Sequence, residues 1–301
     1  MARLHSRSRQ QVTTQTRTYQ RPNLYQKQQD AIFSKARYAV IEGSTKCGKT
    51  VGCLAWIVEQ AISGGPGQNF WWVAPVYPQA RIAFRRLKRG LDPDMYKSNE
   101  SELTVILPNQ AVISFKSAEK ADNLYGEDVY ACVIDEATRA REESWYAIRS
   151  TLTATRGAIR IIGNVKGRRN WAYNLARVAE SGVDDWHYAK LTAYDAVDGG
   201  IVSLDEIQQA KAQLPENVFK ELYLAEPSDD GGNPFGQTAI HHCISSLSSE
   251  PTVVFGIDLA KSVDWTVIVG LDSNNQVSYF DRFQMPWEET MMRIVNAVGD
   301  R

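Results

Sequence analysis

Cysteine is scarce and scattered. The 301 residues hold four, Cys47, Cys53, Cys132 and Cys243, and no two of them make a C-x-x-C pair. That excludes a dense disulfide framework and the paired spacing of structural zinc sites, and it points to a reducing compartment. Long apolar runs are missing too. No stretch approaches the roughly 18 residues that cross a bilayer, so no membrane partner is expected. The N-terminus has no apolar core of a secretory signal. Net charge is almost absent: 34 Lys and Arg stand against 35 Asp and Glu. The overall balance therefore names no partner. Its distribution says more. Residues 1–22 carry Arg3, Arg7, Arg9, Arg17 and Arg21, no acid and almost no large apolar side chain. This reads as a disordered basic arm able to touch nucleic acid or a partner, the alternative being a solvated tail. The remainder is ordinary for a globular chain with a sizeable core, at 43% hydrophobic and 23% charged overall, and its length suits one large domain or two smaller ones.

What is present is organised around Gly43-Ser44-Thr45-Lys46-Cys47-Gly48-Lys49-Thr50. The stretch fits G-x-x-x-x-G-K-[ST], the phosphate-binding loop of P-loop NTPases. Glycines let the backbone wrap until its N–H groups converge on phosphate oxygens. Lys49 then reaches the β- and γ-phosphates of ATP, and Thr50 offers a hydroxyl to Mg²⁺. The flanks suit the motif. Tyr38 to Glu42 reads as a buried strand, and Val51, Leu54, Val58 and Ile62 recur at helical spacing after the loop, so a helix starts where phosphate would sit.

Further along, strands are expected at Phe70 to Ala74, Val129 to Ile134, Ala158 to Ile162 and Trp186 to Thr192. A hairpin is expected across Pro108-Asn109-Gln110. Helices are expected after Pro22 (Leu24, Gln28, Ala31, Ile32), over Pro78 to Gly90, Glu142 to Thr153 and Asn170 to Ser181, and on both sides of Pro215. Alternation of this kind predicts a parallel α/β sheet flanked by helices. The helix over 78–90 carries Arg81, Arg85, Arg86, Lys88 and Arg89 on one face, a candidate contact for DNA phosphates or a solvated surface.

Two more strand ends carry chemistry. Val133-Ile134 runs into Asp135-Glu136, placing a carboxylate at the carboxyl edge where open α/β sheets bind ligands. Asp135 is the expected Mg²⁺ partner of Thr50, and Glu136 the group that orients and deprotonates the attacking water. Ile161-Ile162 ends at Gly163-Asn164, where a carboxamide can sense the γ-phosphate or simply make a turn. Gln26, beside Tyr25 and ahead of the loop, can read an adenine edge while Tyr25 packs on the base, or is simply a polar residue at the start of a helix. Cys47, among converging N–H groups and next to Lys49, is expected to be an accessible, activated thiol that ATP would shield.

In this order, the segments LYQ, EGSTKCGKT, LYGEDVYACVIDEA and RIIGNVKGRRNW resemble the large terminase subunit of tailed viruses. The resemblance covers about residues 23–301. It implies a motor that hydrolyses ATP to drive double-stranded DNA into a procapsid. It also implies a homo-oligomeric ring on the portal, a small-subunit partner, and a place in the host cytoplasm and transiently on the procapsid. Gln26 falls on the family's adenine motif, Gly43 to Thr50 on Walker A, Asp135 and Glu136 on Walker B, and Asn164 on the coupling motif. Many members carry Arg where Tyr125 stands here. The arginine finger is thus left among Arg139, Arg141, Arg168 and Arg169, with Lys46 as an alternative within the same chain.

Composition shifts at Glu226 to Pro234. The resulting division is 1–22 arm, 23–225 ATPase domain, 226–250 linker and 251–301 the start of a second domain. Strands are expected at Thr252 to Leu259, Asp264 to Leu271 and Val277 to Phe283. By resemblance they open an RNase H-like nuclease domain, with Asp258 its first metal ligand and Asp264 a weaker candidate. Only 43 residues follow Asp258, leaving the later carboxylates no place, so this domain is expected to be incomplete and inactive in this chain. A helicase-like ATPase and an ATP-binding assembly subunit without motor activity are the rival readings.

Overall fold

The structure is a computed structural model that describes residues 19–227, 242–260 and 264–299. Most of the basic arm and of the linker therefore lie outside the described residues. The chain divides into two compact units, Met1–Gly232 and Asn233–Arg301.

Among the described residues of the first unit six strands run parallel: β1 (Tyr38–Gly43), β2 (Asn69–Ala74), β5 (Val112–Ser117), β6 (Val129–Ile134), β7 (Ala158–Gly163) and β8 (Trp186–Leu191). Two short strands, β3 (Lys97–Asn99) and β4 (Thr104–Ile106), add antiparallel pairing at one edge. The sheet order is β3-β4-β5-β2-β6-β7-β1-β8. The expected hairpin is the β4–β5 pair; β3 was not anticipated, being three exposed residues with no apolar signal. The central strands β2 and β6 read as nearly continuous apolar runs because helices cover both faces. Ala39, Ile41, Trp72, Val133 and Ile162 pack with α2 (Lys49–Ile62) and α3 (Tyr77–Gly90) on one side. Val40, Trp71, Val73, Ile134 and Ile161 pack with α4 (Glu142–Thr151) and α5 (Trp171–Glu180) on the other. The alternation along each strand is the period-2 consequence of the pleat.

Helix α2 is buried nearly all round, through Gly52, Cys53, Leu54, Ala55, Trp56, Ile57 and Val58. Its ends are the exception: Val51 and Ile62, expected on the buried stripe, are exposed. Helix α1 (Gln26–Ile32) precedes β1, and α6 (Ala193–Asp198), α7 (Leu204–Gln213) and α8 (Glu216–Leu224) form a small cluster around Ile207 and Phe219. Helix α6 was not anticipated; it is started by a capping box in which Thr192 and Asp195 bond each other's backbone N–H.

The decisive topological fact is that β6, β7 and β1 are neighbours. Ile134, Ile161 and Val40 stand side by side across them. Their carboxyl ends, which carry Asp135, Asn164 and the phosphate loop, therefore meet at the centre of one sheet edge, the place such sheets use for ligands.

The second unit is an antiparallel meander of β9 (Val254–Asp258), β10 (Thr266–Leu271) and β11 (Val277–Phe283), with β10 central, followed by α9 (Trp287–Val298). The three strands match expectation. The helix was not anticipated.

Candidate nucleotide site

The loop after β1 is shaped by two left-handed residues, Lys46 (φ 58°) and Gly48 (φ 86°), with Gly48 capping α2. Gly43 is required by space. A Cβ there would fall 2.5 Å from Lys49 Cδ, so the lysine stem passes over this residue only because it lacks a side chain. Lys49 is buried, and its ammonium donates to Gly43 O (2.7 Å), Ser44 O (2.7 Å) and Asn164 Oδ1 (2.9 Å). Three donors thus meet three acceptors, the full capacity of an ammonium group. The contact with Asn164 ties the end of β7 to the loop after β1. Thr138 Oγ1 donates to Asn164 O (3.0 Å) and links the same residue to the turn after β6.

Asp135 follows β6, and its N–H is taken by Val73 O (2.8 Å). Burial, then the neighbouring Glu136, pushes its carboxyl up to about 7, against the pull of Lys49 and, more weakly, Arg86. Glu136 has φ 49° and ψ 47°, a left-handed conformation that costs a non-glycine residue about 1–2 kcal/mol. Gly163 allows it: a Cβ on Gly163 would lie 3.1 Å from Ala137 N and 3.4 Å from Glu136 Cα. Thr50 is half-buried at the start of α2. Arg139, Arg141, Arg168, Arg169 and Lys46 are all exposed.

Some expectations are redirected. Cys47 is fully buried, so the accessible thiol is overturned. Its side chain turns beneath the loop, where a Cβ on Gly43 would meet Sγ at 2.9 Å, and Sγ lies 3.9 Å from Lys49 Nζ. Gln26 is exposed and donates to Asp30 Oδ1 (2.8 Å) on its own helix. The loop is held by two other residues of the same segment. Tyr25 Oη donates to Cys47 O (2.8 Å), with its ring against Gly199, and the buried Gln28 donates through Nε2 to Gly48 O (2.8 Å). Gln28 had a readable signal, a polar residue on the apolar stripe of Leu24, Ala31 and Ile32. From the far side, Leu222 O of α8 accepts from Thr45 N (2.6 Å), and Glu221 Oε1 accepts from Gly167 N (2.9 Å) in the segment after Asn164. No sequence pattern announces these.

The model of the family "Terminase large subunit, T4likevirus-type, N-terminal" matches residues 40–241. The chain belongs to the terminase large-subunit family. Among curated relatives, the terminase large subunit of Thermus phage G20c is 21% identical over 76% of this chain and 56% of its own length. That of Thermus virus P23-45 is 22% identical over 69% and 52%. The chain thus spans about half the length of the curated relatives it matches. Among solved structures, the large terminase ATPase domain of Thermus phage P74-26 has a TM-score of 0.57 at 22% identity, covering 68% of this chain and 94% of that one. The HK97 bacteriophage large terminase has a TM-score of 0.60 at 18% identity, covering 93% and 67%. At these identities the likeness shows a shared terminase fold.

In the second unit, Asp258 ends β9 and is exposed. Asp264 is exposed too and accepts from Trp265 N (2.8 Å). Among the described residues no group of three or more His, Cys, Asp or Glu is placed to hold a metal ion.

Proposed function

We propose that this chain carries the ATP-hydrolysing domain of a DNA-packaging motor. The observation that carries the reading is the Lys49 ammonium, shared between the phosphate loop and Asn164, with its charge acting on Asp135 at the end of β6. A buried cation held only by neutral acceptors is ready for an anion. Phosphate would replace carbonyl contacts with stronger charge-assisted ones. The residues present fit ATP and Mg²⁺: a glycine at 43 that leaves room for Lys49, a left-handed loop of backbone N–H groups, and a desolvated carboxyl near the loop lysine. Thr50 and Asp135 would hold Mg²⁺, which supplies charge neutralisation at the phosphates. Lys49 orients the phosphate end of the substrate. Glu136 takes the proton of the attacking water. Asn164, bonded to Lys49, registers loss of the γ-phosphate and passes it to the segment after β7. A solved large terminase of a thermophilic bacteriophage, similar in fold (TM-score 0.55), was obtained in complex with ADP, which supports nucleotide binding here.

Double-stranded DNA is the proposed cargo, met by the exposed arginines of α3, with a ring of copies on a procapsid portal and a small subunit as partners and the host cytoplasm as location. The second unit is read as the beginning of an RNase H-like domain, with Asp258 as a metal ligand. ATP turnover with and without duplex DNA tests the motor reading. Turnover that rises with DNA and is lost in Lys49→Ala supports it, and turnover indifferent to DNA contradicts it.

A further inference from the structure

The opposite edge of the main sheet holds a feature that nucleotide hydrolysis does not use. Because β1, β7 and β8 are parallel, their starts gather at the edge away from the phosphate loop. There a cavity of about 490 Å³ opens between the segment 33–37, the turn before β7 and the turn before β8. Lys35, Arg37, Arg156 and Arg160 line it, against a single acid, Asp185. Its size falls within the roughly 300–1,000 Å³ of small-molecule sites.

None of these four cations is paired with a carboxylate among the described residues. Arg160 is 2% exposed and donates to Ile32 O (2.6 Å), Ser34 O (2.7 Å), Ile159 O (3.0 Å) and Ala36 O (3.2 Å). Arg37 donates to Leu152 O (2.9 Å) and Gly157 O (3.2 Å). Those bonds fix both guanidinium groups without neutralising them. Lys35 and Arg156 are exposed, and Arg156 is held in a left-handed conformation (φ 52°). Ser34 Oγ, on the same wall, is buried without a hydrogen-bond partner. Burial without a neighbouring carboxylate pulls Arg160 down to about 10. Like charges gathered around a partly enclosed space repel unless an anion joins them. A tetrahedral oxyanion answers this arrangement, offering acceptors to several cations and to a hydroxyl at once.

We propose that this cavity is a second anion site, which takes a phosphate group between Lys35, Arg37 and Arg156. The group can come from a free phosphate compound or from a nucleic-acid backbone. The inference does not rest on the reading of the nucleotide site.

The test uses the full chain in a Lys49→Ala background, so that phosphate binding at the loop does not contribute. Inorganic pyrophosphate and a short DNA duplex are the probes, titrated by calorimetry and fluorescence anisotropy. The comparison is the same protein with Lys35→Gln and Arg156→Asn. Both positions are exposed, and Asn tolerates left-handed backbone, so the fold should persist, checked by thermal melting. Pyrophosphate affinity should fall about tenfold, the scale of one charge-assisted contact. If DNA affinity falls with it and pyrophosphate competes with DNA, the source is a nucleic-acid backbone. If only pyrophosphate affinity falls, the source is a free anion. Equal pyrophosphate affinity in the two proteins, or no binding of either probe to the parent, overturns the proposal. Loss of self-association in the double variant without probe binding would likewise overturn it, pointing to an acidic surface of a second copy.

Discussion

At the residue scale, the site concentrates cost. Glu136 sits in a left-handed conformation and Asp135 keeps a carboxyl largely out of water, features that cluster where chemistry is done. Asp135 gives a prediction with a definite sign. Its folded pKa, about 7, lies above that of the unfolded chain, so the proton favours the fold. The penalty on the fold is small below the unfolded value and grows as pH rises, being complete above about 7. Asp135→Asn carries no charge and escapes it. In metal- and nucleotide-free protein the variant should melt higher than the parent at pH 8, at roughly 2–4 °C per kcal/mol recovered, and the gap should shrink at pH 5. Equal melting at pH 8 would contradict this reading of Asp135. Cysteine gives a second test. Cys47, Cys53 and Cys132 are buried and Cys243 is exposed, so maleimide should label Cys243 alone in the native protein, read by peptide mass spectrometry. Labelling of native Cys47 would contradict the turn of its side chain beneath the loop. Sequence could not show that turn. It places Cys47 within the loop, but which side of the loop a side chain takes depends on the φ of Lys46 and Gly48.

At the element scale, the strands were legible because runs such as Val129 to Ile134 are short, apolar and alternate with helical segments, the pattern of central parallel strands, and an acid or amide after the run marks the ligand edge. What was not legible is what holds the loop in place. Tyr25, just before α1, and Gln28 within it do so, and α8 does so through Leu222 O. A main-chain carbonyl leaves no trace in a sequence, whereas the start of α6 did leave one: Thr192 and Asp195 have the S/T-x-x-D/E spacing of a capping box. Gln28→Met tests the tether. It keeps the volume and removes the Gly48 contact. Nucleotide affinity should fall about tenfold while unfolding free energy changes by about 1 kcal/mol. Fluorescent-nucleotide titration and urea unfolding measure the two. A change in stability with unaltered affinity would make Gln28 a packing residue only.

At the scale of the whole molecule, the two units differ in how far the reading goes. The first owes its function to topology: β6, β7 and β1 lie side by side, so three segments far apart in sequence share one edge. In the second unit the strands were readable from their apolar pattern, whereas the carboxylates of a nuclease centre were never more than Asp258 and Asp264, both exposed. The central claim concerns the first unit, that the edge is a hydrolytic phosphate site in which binding and proton removal belong to different residues. Glu136→Gln separates them most directly, because Lys49, Asn164, Thr50 and Asp135 stay in place and only the base is neutralised. The measurement is ATP turnover alongside equilibrium ATP binding in the same preparation. The account predicts binding within about twofold of the parent and turnover lower by about 10²–10⁴-fold, the usual contribution of a general base. Turnover near the parent rate with binding intact would contradict it.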